Sequence, residues 1–250
     1  MELSNGMKIV STIEARMGSS RFPGKTLAPI LGRPMLEVLI ERLERVPEID
    51  EIVVATTAEP EDDAIEALAR QLDVGCFRGS SDDVLDRVLR AAQAHGADVI
   101  VEITGDCPLI DPPTVREVIA LFRTGGYDYV SNIQCEGYPR GLDTQVFPTR
   151  VLAEVASLTQ DPADREHVSL YIYEHPERYR LGVVETPADV RRRNLRLTVD
   201  TPEDLELVDG IYERLYPVKP DFTLDDVVAV LDAHPELAEI NADIRQKALR

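Results

Sequence analysis

Hydrophobic residues along the first 160 positions switch repeatedly between two spacings. Compact β-branched runs at 7–13, 51–57 and 98–104 show no strict alternation and read as strands buried on both faces. Between them the period is helical. Positions 34–46 bring Met35, Val38, Leu39, Arg42, Leu43 and Val46 together, with Pro34 suited to a first turn, and 60–72 align Ala64, Ile65, Leu68 and Leu72. Helices are also predicted at 84–94, behind the capping residues of 80–83, at 112–122 and at 149–158. Further strands are expected at 127–132, 144–147 and 179–185, and a solvated basic turn at 190–193. Asp164 is placed as the cap of a helix holding Arg165, Glu166 and His167. Asp200 or Thr201 ahead of Pro202 starts another helix, with Asp204 on its surface, and the tail adds two more at 223–232 and 238–250. Strand and helix in alternation imply parallel pairing and an α/β fold.

Composition narrows the class. A length of 250 residues suits one large α/β domain, 1–250, with an excursion around 133–186 where the rhythm breaks at C-E-G-Y-P-R-G-L-D-T-Q-V-F. With 44% hydrophobic residues and no long apolar stretch, no membrane span is expected, and M-E-L-S-N-G lacks a signal-peptide pattern, so the expected location is cytoplasmic. A net charge of -19 disfavours nucleic-acid backbones and anionic membranes as partners. Cys76, Cys107 and Cys135 are odd in number and lack C-x-x-C spacing, which points to free thiols and to neither disulfides nor zinc.

Against that acidic background, positions 15–34, A-R-M-G-S-S-R-F-P-G-K-T-L-A-P-I-L-G-R-P, concentrate Arg16, Arg21 and Lys25 on a Gly/Ser/Pro frame. Glycines let backbone N–H groups approach an anion, Ser19 and Ser20 add hydroxyl donors, and the cations add charge-assisted bonds, so the stretch reads as a phosphate cradle. The pattern G-x-x-x-x-G-K-S/T is missed, because five positions separate Gly18 from Gly24, and a P-loop NTPase is rejected. An irregular surface loop with solvated cations is the plain alternative.

The string A-R-M-G-S-S-R-F-P-G-K-T-L followed by G-R-P-M-L resembles the signature loop of sugar-activating cytidylyltransferases of the spore-coat polysaccharide type, distantly related to CMP-Kdo and CMP-sialic acid synthetases. The resemblance runs from about Lys8 to Leu215 through several motifs in order. It implies a three-layer α/β/α nucleotide-diphospho-sugar transferase fold, GT-A-like, with a mostly parallel mixed sheet. It also implies that Ala15, Arg16, Gly18, Ser19, Arg21 and Lys25 wrap the triphosphate of CTP. F-R-G-S-x-x-D-V-L-D-R resembles the base and ribose motif and assigns Arg78, Gly79, Ser80 and Arg87 there; from pattern alone Ser80 is a capping residue and Arg87 a surface charge. G-D-C-P and V-D-T-P-E-D-L resemble the metal-binding turns, so Asp106 and Asp200 would share Mg²⁺. Asp200 is equally a helix cap by its own pattern. P-R-G-L-D-T-Q-V-F and R-E-H-V-S-L-Y-I-Y resemble acceptor-side segments, which makes Arg140, Asp143 and His167 acceptor-binding candidates. Two positions depart from the family: Glu14 stands where Gln is usual, and Glu102 where Arg is frequent.

The implied reaction is transfer of CMP from CTP to a sugar or sugar acid with release of pyrophosphate, in a cytoplasmic homodimer. Arg16, Lys25, Asp106 and Asp200 are the catalytic candidates, Lys25 offsetting charge on the leaving pyrophosphate. A glycosyltransferase of the same fold, another base specificity and a non-catalytic nucleotide-binding protein are the rival readings.

Overall fold

A computed structural model describes residues 6–134, 138–185 and 195–245. In chain order the elements are β1 (Ile9–Glu14), β2 (Pro29–Ile30), β3 (Arg33–Pro34), α1 (Met35–Leu43), β4 (Glu51–Thr57), α2 (Asp63–Gln71), β5 (Gly75–Gly79) and α3 (Val84–Ala94). They continue with β6 (Val99–Thr104), α4 (Pro112–Arg123), β7 (Tyr129–Ser131), β8 (Gln145–Pro148), α5 (Thr149–Leu158), α6 (Pro162–Glu166), α7 (Leu170–Glu174) and β9 (Leu181–Val183). The last three are α8 (Pro202–Leu215), α9 (Leu224–Ala233) and α10 (Pro235–Glu239).

Seven strands form one sheet in the order β5-β4-β1-β6-β8-β7-β9. β1 pairs in parallel with β4 and β6, and β8 runs against both of its neighbours. The mostly parallel mixed sheet therefore agrees with the expected fold class. Its central strands β1, β4 and β6 are buried on both faces, as their unbroken apolar runs require. Ile9, Ile13, Val54, Val101 and Ile103 pack with Leu36, Leu39, Ile65, Val115 and Val118 of α1, α2 and α4. Val10, Val53, Ala55, Ile100 and Phe147 pack oppositely with Leu85, Val88, Val151 and Ile172 of α3, α5 and α7. A third cluster, including Met35, Leu142, Leu197, Leu207 and Val227, ties α8 and α9 to α1 and to the irregular segments around 142 and 197. Each fully buried aliphatic contributes roughly 1.5–3 kcal/mol. An acid placed in such a strand forgoes that gain and carries a desolvation penalty, so Glu14 and Glu102 stand out.

The carboxyl ends of β1, β4, β5 and β6 share one edge with the amino end of β8, because Gln145 pairs with Glu102. Open α/β sheets bind ligands at this edge.

Several local expectations are corrected. Pro34 precedes α1 as the last residue of β3 and does not lie inside the first turn. Asp161 caps α6, accepting from Ala163 N, whereas Asp164 lies buried within the helix and accepts from Thr159 Oγ1 at 2.6 Å. His167 follows that helix as its C-cap. Asp204 is 0% exposed, far from a surface position. Of the helix expected at 238–250, the described part is not helical beyond Glu239, where α10 ends and 240–243 form turns, and 246–250 lie outside the described residues. The basic turn at 190–193 and Cys135 fall outside the described residues; Cys76 and Cys107 are free thiols. No helix among the described residues is long and apolar enough to cross a membrane.

Candidate active site

The loop after β1 is closed on itself. Met17 O accepts from Ser19 N at 2.8 Å and Gly24 N at 2.9 Å, and Met17 N donates to Asp62 Oδ1 at 2.7 Å. Asp62 is fully buried, and its Oδ2 takes the Thr57 amide at 3.1 Å and the Thr57 hydroxyl. Thr26 Oγ1 donates to Arg16 O at 2.8 Å, so both limbs of the loop are pinned by side chains. A short 3-10 turn, Lys25–Leu27, then sets the direction of Lys25.

Lys25 Nζ donates to Asp106 Oδ2 at 3.0 Å, Asp200 Oδ1 at 2.9 Å and Val199 O at 2.8 Å. The three ammonium protons are thus all engaged. Burial works to lower the Lys25 pKa, but the two carboxylates outweigh it and hold it above its ordinary value. Burial likewise opposes ionisation of Asp200, yet Lys25, Arg196 and Arg21 keep its pKa below the usual range. Arg21 Nη2 lies 2.9 Å and Arg196 Nη2 2.8 Å from Asp200 Oδ2.

Backbone contacts explain how residues so far apart in sequence meet. Asp106 O accepts from Val199 N at 2.9 Å and from Thr198 Oγ1 at 3.2 Å, which fastens the turn after β6 to the strand-like segment before α8. Gly105 permits the approach of that turn to β1: a Cβ there would sit 2.5 Å from Glu14 O. Gly141, at φ +97, performs the same service on the other side, where a Cβ would come within 2.4 Å of the Leu197–Thr198 peptide. The carboxylate of Asp204 fixes Asp200 from behind by accepting from the amides of Asp200 at 2.9 Å and Thr201 at 3.1 Å, from Arg196 Nε at 2.9 Å and from Asn241 Nδ2 at 2.8 Å. Thr201, not Asp200, is the side chain that caps α8.

Two adjoining cavities open on this edge. The first, about 720 Å³, is lined by Ala15, Arg16, Ser19, Arg21, Lys25, Arg87, Asp106 and Asp200. The second, about 890 Å³, is lined by Glu102, Tyr138, Gln145, Ser169 and Arg196. Glu14, Thr104, Arg140, Asp143, Glu166 and His167 line both. The structure thus gathers the cradle cations, the paired aspartates and all three acceptor-side candidates around one space. Gly18, Gly79 and Ser80 do not line it. Ser80 borders the cradle through its backbone, with Arg87 Nη1 donating to Ser80 O at 2.5 Å, and Arg16 Nη1 reaches Ser81 O at 3.3 Å. Arg87 is 2% exposed, not a surface charge. Arg78 is a correction: its guanidinium is spent on Asp63 and Glu66 at 2.5 and 2.9 Å and on two carbonyls, outside the cavities.

Asp106 and Asp200 already share one cation, the Lys25 ammonium. An all-oxygen pair of this kind fits a hard divalent ion that keeps its other positions for phosphate oxygens and water. No group of three or more His, Cys, Asp or Glu able to hold a metal occurs among the described residues.

Two acids sit deeper. Glu14 and Glu102 lie on the α3 face of the sheet, sharing parity with Val10 and Ile100, and Thr12 pairs with Glu102 in the register. Burial pushes both carboxyls up, Glu102 well above the carboxylate range with Glu14 adding to its rise. Asp143 is pushed up to about 6, by burial first, against the pull of Arg140.

A family model described as cytidylyltransferase matches residues 10–220. An uncharacterized protein of Methanocaldococcus jannaschii is 36% identical, with 98% of each chain covered. The spore coat polysaccharide biosynthesis protein SpsF of Bacillus subtilis is 32% identical, with 92% of this chain and 96% of SpsF covered. Among solved structures, a cytidylyltransferase of Leptospira borgpetersenii serovar Hardjo-bovis superposes with a TM-score of 0.87 at 32% identity, covering 97% of this chain and 99% of that one.

Proposed function

The chain belongs to the cytidylyltransferase family, and from that premise we infer that it transfers CMP from CTP to an oxygen of a sugar or sugar acid, releasing pyrophosphate, in the synthesis of a cell-surface polysaccharide precursor. The observation that carries this reading is the Lys25 ammonium held within 3.0 Å of both Asp106 and Asp200 at the mouth of the cradle.

The acceptor oxygen attacks the α-phosphorus, the bond to the β-phosphate oxygen breaks, and the acceptor's proton passes to solvent or a neighbouring base. Such a transfer depends on positioning and charge neutralisation and needs no covalent nucleophile. Arg16, Arg21 and Lys25 bind the triphosphate, aided by Ser19 and the backbone of Ala15 and Arg16. Phosphate oxygens replace the carboxylates as partners of Lys25, which then offsets charge growing on the leaving pyrophosphate. Asp106 and Asp200 are the residues to hold Mg²⁺, which when bound supplies Lewis-acid polarisation of phosphate oxygens. Arg87, with the Ser80 carbonyl that it holds, borders the base and ribose. Arg140, Asp143 and His167 orient the acceptor, and the described residues between 138 and 185 supply that side of the site. Family resemblance supports a homodimer in the cytoplasm.

A pyrophosphate-release screen tests the reading, using the four nucleoside triphosphates, Mg²⁺ and a panel of sugars and sugar acids. CTP should be the preferred donor, and Lys25→Ala should lower kcat by about 10²–10³. Equal use of all four nucleotides, or full activity in the variant, would contradict it.

A further inference from the structure

The support behind Asp200 is completed from the far end of the chain. Residues 240–243, the turns after α10, lie beyond the stretch 10–220 that the family model matches. Packing carries them to the site: Leu231 and Leu237 are buried with Leu207, Val208 and Ile211 of α8, and a Cβ at Gly210 would sit 3.1 Å from the Leu237 side chain. Asn241 is 4% exposed there. Its Nδ2 donates to Asp204 Oδ1 at 2.8 Å and to Arg196 O at 3.0 Å. A carboxylate and a carbonyl only accept, so the amide has one workable orientation, and both of its N–H groups are used.

Two routes lead from Asn241 to Asp200. Asp204 Oδ2 takes the Asp200 amide at 2.9 Å, which fixes the backbone of that residue. Arg196, held at its carbonyl by Asn241 and at Nε by Asp204 Oδ1, places Nη2 2.8 Å from Asp200 Oδ2. Asp200 Oδ1 is thereby turned to Lys25 Nζ, 2.9 Å away, which also donates to Asp106. When a triphosphate takes Lys25 and Arg21, Arg196 and Asp204 keep their hold on Asp200.

We propose that Asn241 is a positioning residue for nucleotidyl transfer: through Asp204 and Arg196 it sets the orientation in which Asp200 meets the divalent ion. The assignment rests on the nucleotidyl-transfer reading. Without the amide, Asp204 Oδ1 and Arg196 O both lose a donor in a buried place, and the segment 196–200 gains freedom just where a metal-binding carboxylate has to be pre-set. Asn241→Asp is harsher, because it sets a second carboxylate against Asp204 where the repulsion is poorly screened.

The test uses the full chain and titrates CTP by calorimetry, once with Mg²⁺ and once in EDTA, alongside melting curves. Asn241→Ala should keep the wild-type affinity for CTP in EDTA and lose about five- to tenfold of the tightening that Mg²⁺ gives. Asn241→Asp should lose at least as much. Val155→Ala, a buried truncation in α5 outside both cavities, should melt earlier and keep the whole Mg²⁺ effect. An unchanged Mg²⁺ effect in Asn241→Ala overturns the assignment, and so does an equal weakening with and without the ion, which is the mark of a purely structural role. Should Asn241→Ala fail to fold, Asn241→Ser is read by the same criteria. A wild type that fails to bind CTP, or binds it without regard to Mg²⁺, overturns the nucleotidyl reading beneath.

Discussion

Replacing Glu14 and Glu102 together by Gln should make the protein more stable at neutral and alkaline pH, and the structure sets the size of the effect. Burial raises the Glu14 pKa from its ordinary 4.5 to about 7, and Glu102 moves in the same direction. A carboxyl with a raised folded-state pKa keeps its proton longer in the folded than in the unfolded chain. Stability therefore falls as pH rises from the unfolded value through the folded one, for Glu14 from about 4.5 to about 7. At about 1.4 kcal/mol per unit, the rise at Glu14 alone corresponds to about 3 kcal/mol. Urea unfolding of the nucleotide-free protein at pH 5 and pH 8 reads this directly, the variant's loss being subtracted from that of the wild type so that titrations common to both cancel. The wild type should lose at least about 2 kcal/mol more than Glu14→Gln/Glu102→Gln over that interval, because pH 5 already lies above the unfolded value of Glu14. Equal losses in the two proteins would show that the acids are not held against ionisation, and the argument from their burial would fail.

Other consequences follow from single contacts. Lys25→Met frees Asp106 and Asp200 from a charge-assisted contact worth roughly 1.5–3 kcal/mol, so the nucleotide-free variant should bind Mn²⁺ about tenfold tighter or more, measured by electron paramagnetic resonance. Asp204→Ala strips Asp200, Thr201, Arg196 and Asn241 of a buried acceptor and should cost about 3–5 kcal/mol in urea unfolding. Gly141→Ala forces a Cβ into the Leu197–Thr198 peptide at a left-handed φ, so its melting temperature and its kcat should fall together.

The parts of the fold most legible in the sequence are those whose apolar spacing admits one solution. α3 and α5 begin and end where their stripes do, and the β-branched runs of β1, β4 and β6 are the parallel centre of the sheet. What escaped the sequence depends on contacts between distant segments. In P-E-D-L-E-L, Asp204 looks like one more solvated acid; it is buried because Arg196 and Asn241, from either side in the chain, converge on it. Asp62 sits among the acids of 59–63, and only the fold shows it clamping the cradle through Met17. Arg78 shares a motif with Arg87 but alternates to the opposite side of its strand, toward α2, where Asp63 and Glu66 take it. Glu14 and Glu102 were visible as departures from a family pattern, but their pairing on one face follows from the β1–β6 register.

The central claim is that the cradle and the two aspartates bind CTP jointly with a divalent ion, and calorimetric titration of CTP with and without Mg²⁺ tests it without any acceptor. The wild type should bind CTP more tightly with Mg²⁺ present, and Asp200→Asn should lose that dependence. CTP binding that ignores both Mg²⁺ and the substitution would contradict the account.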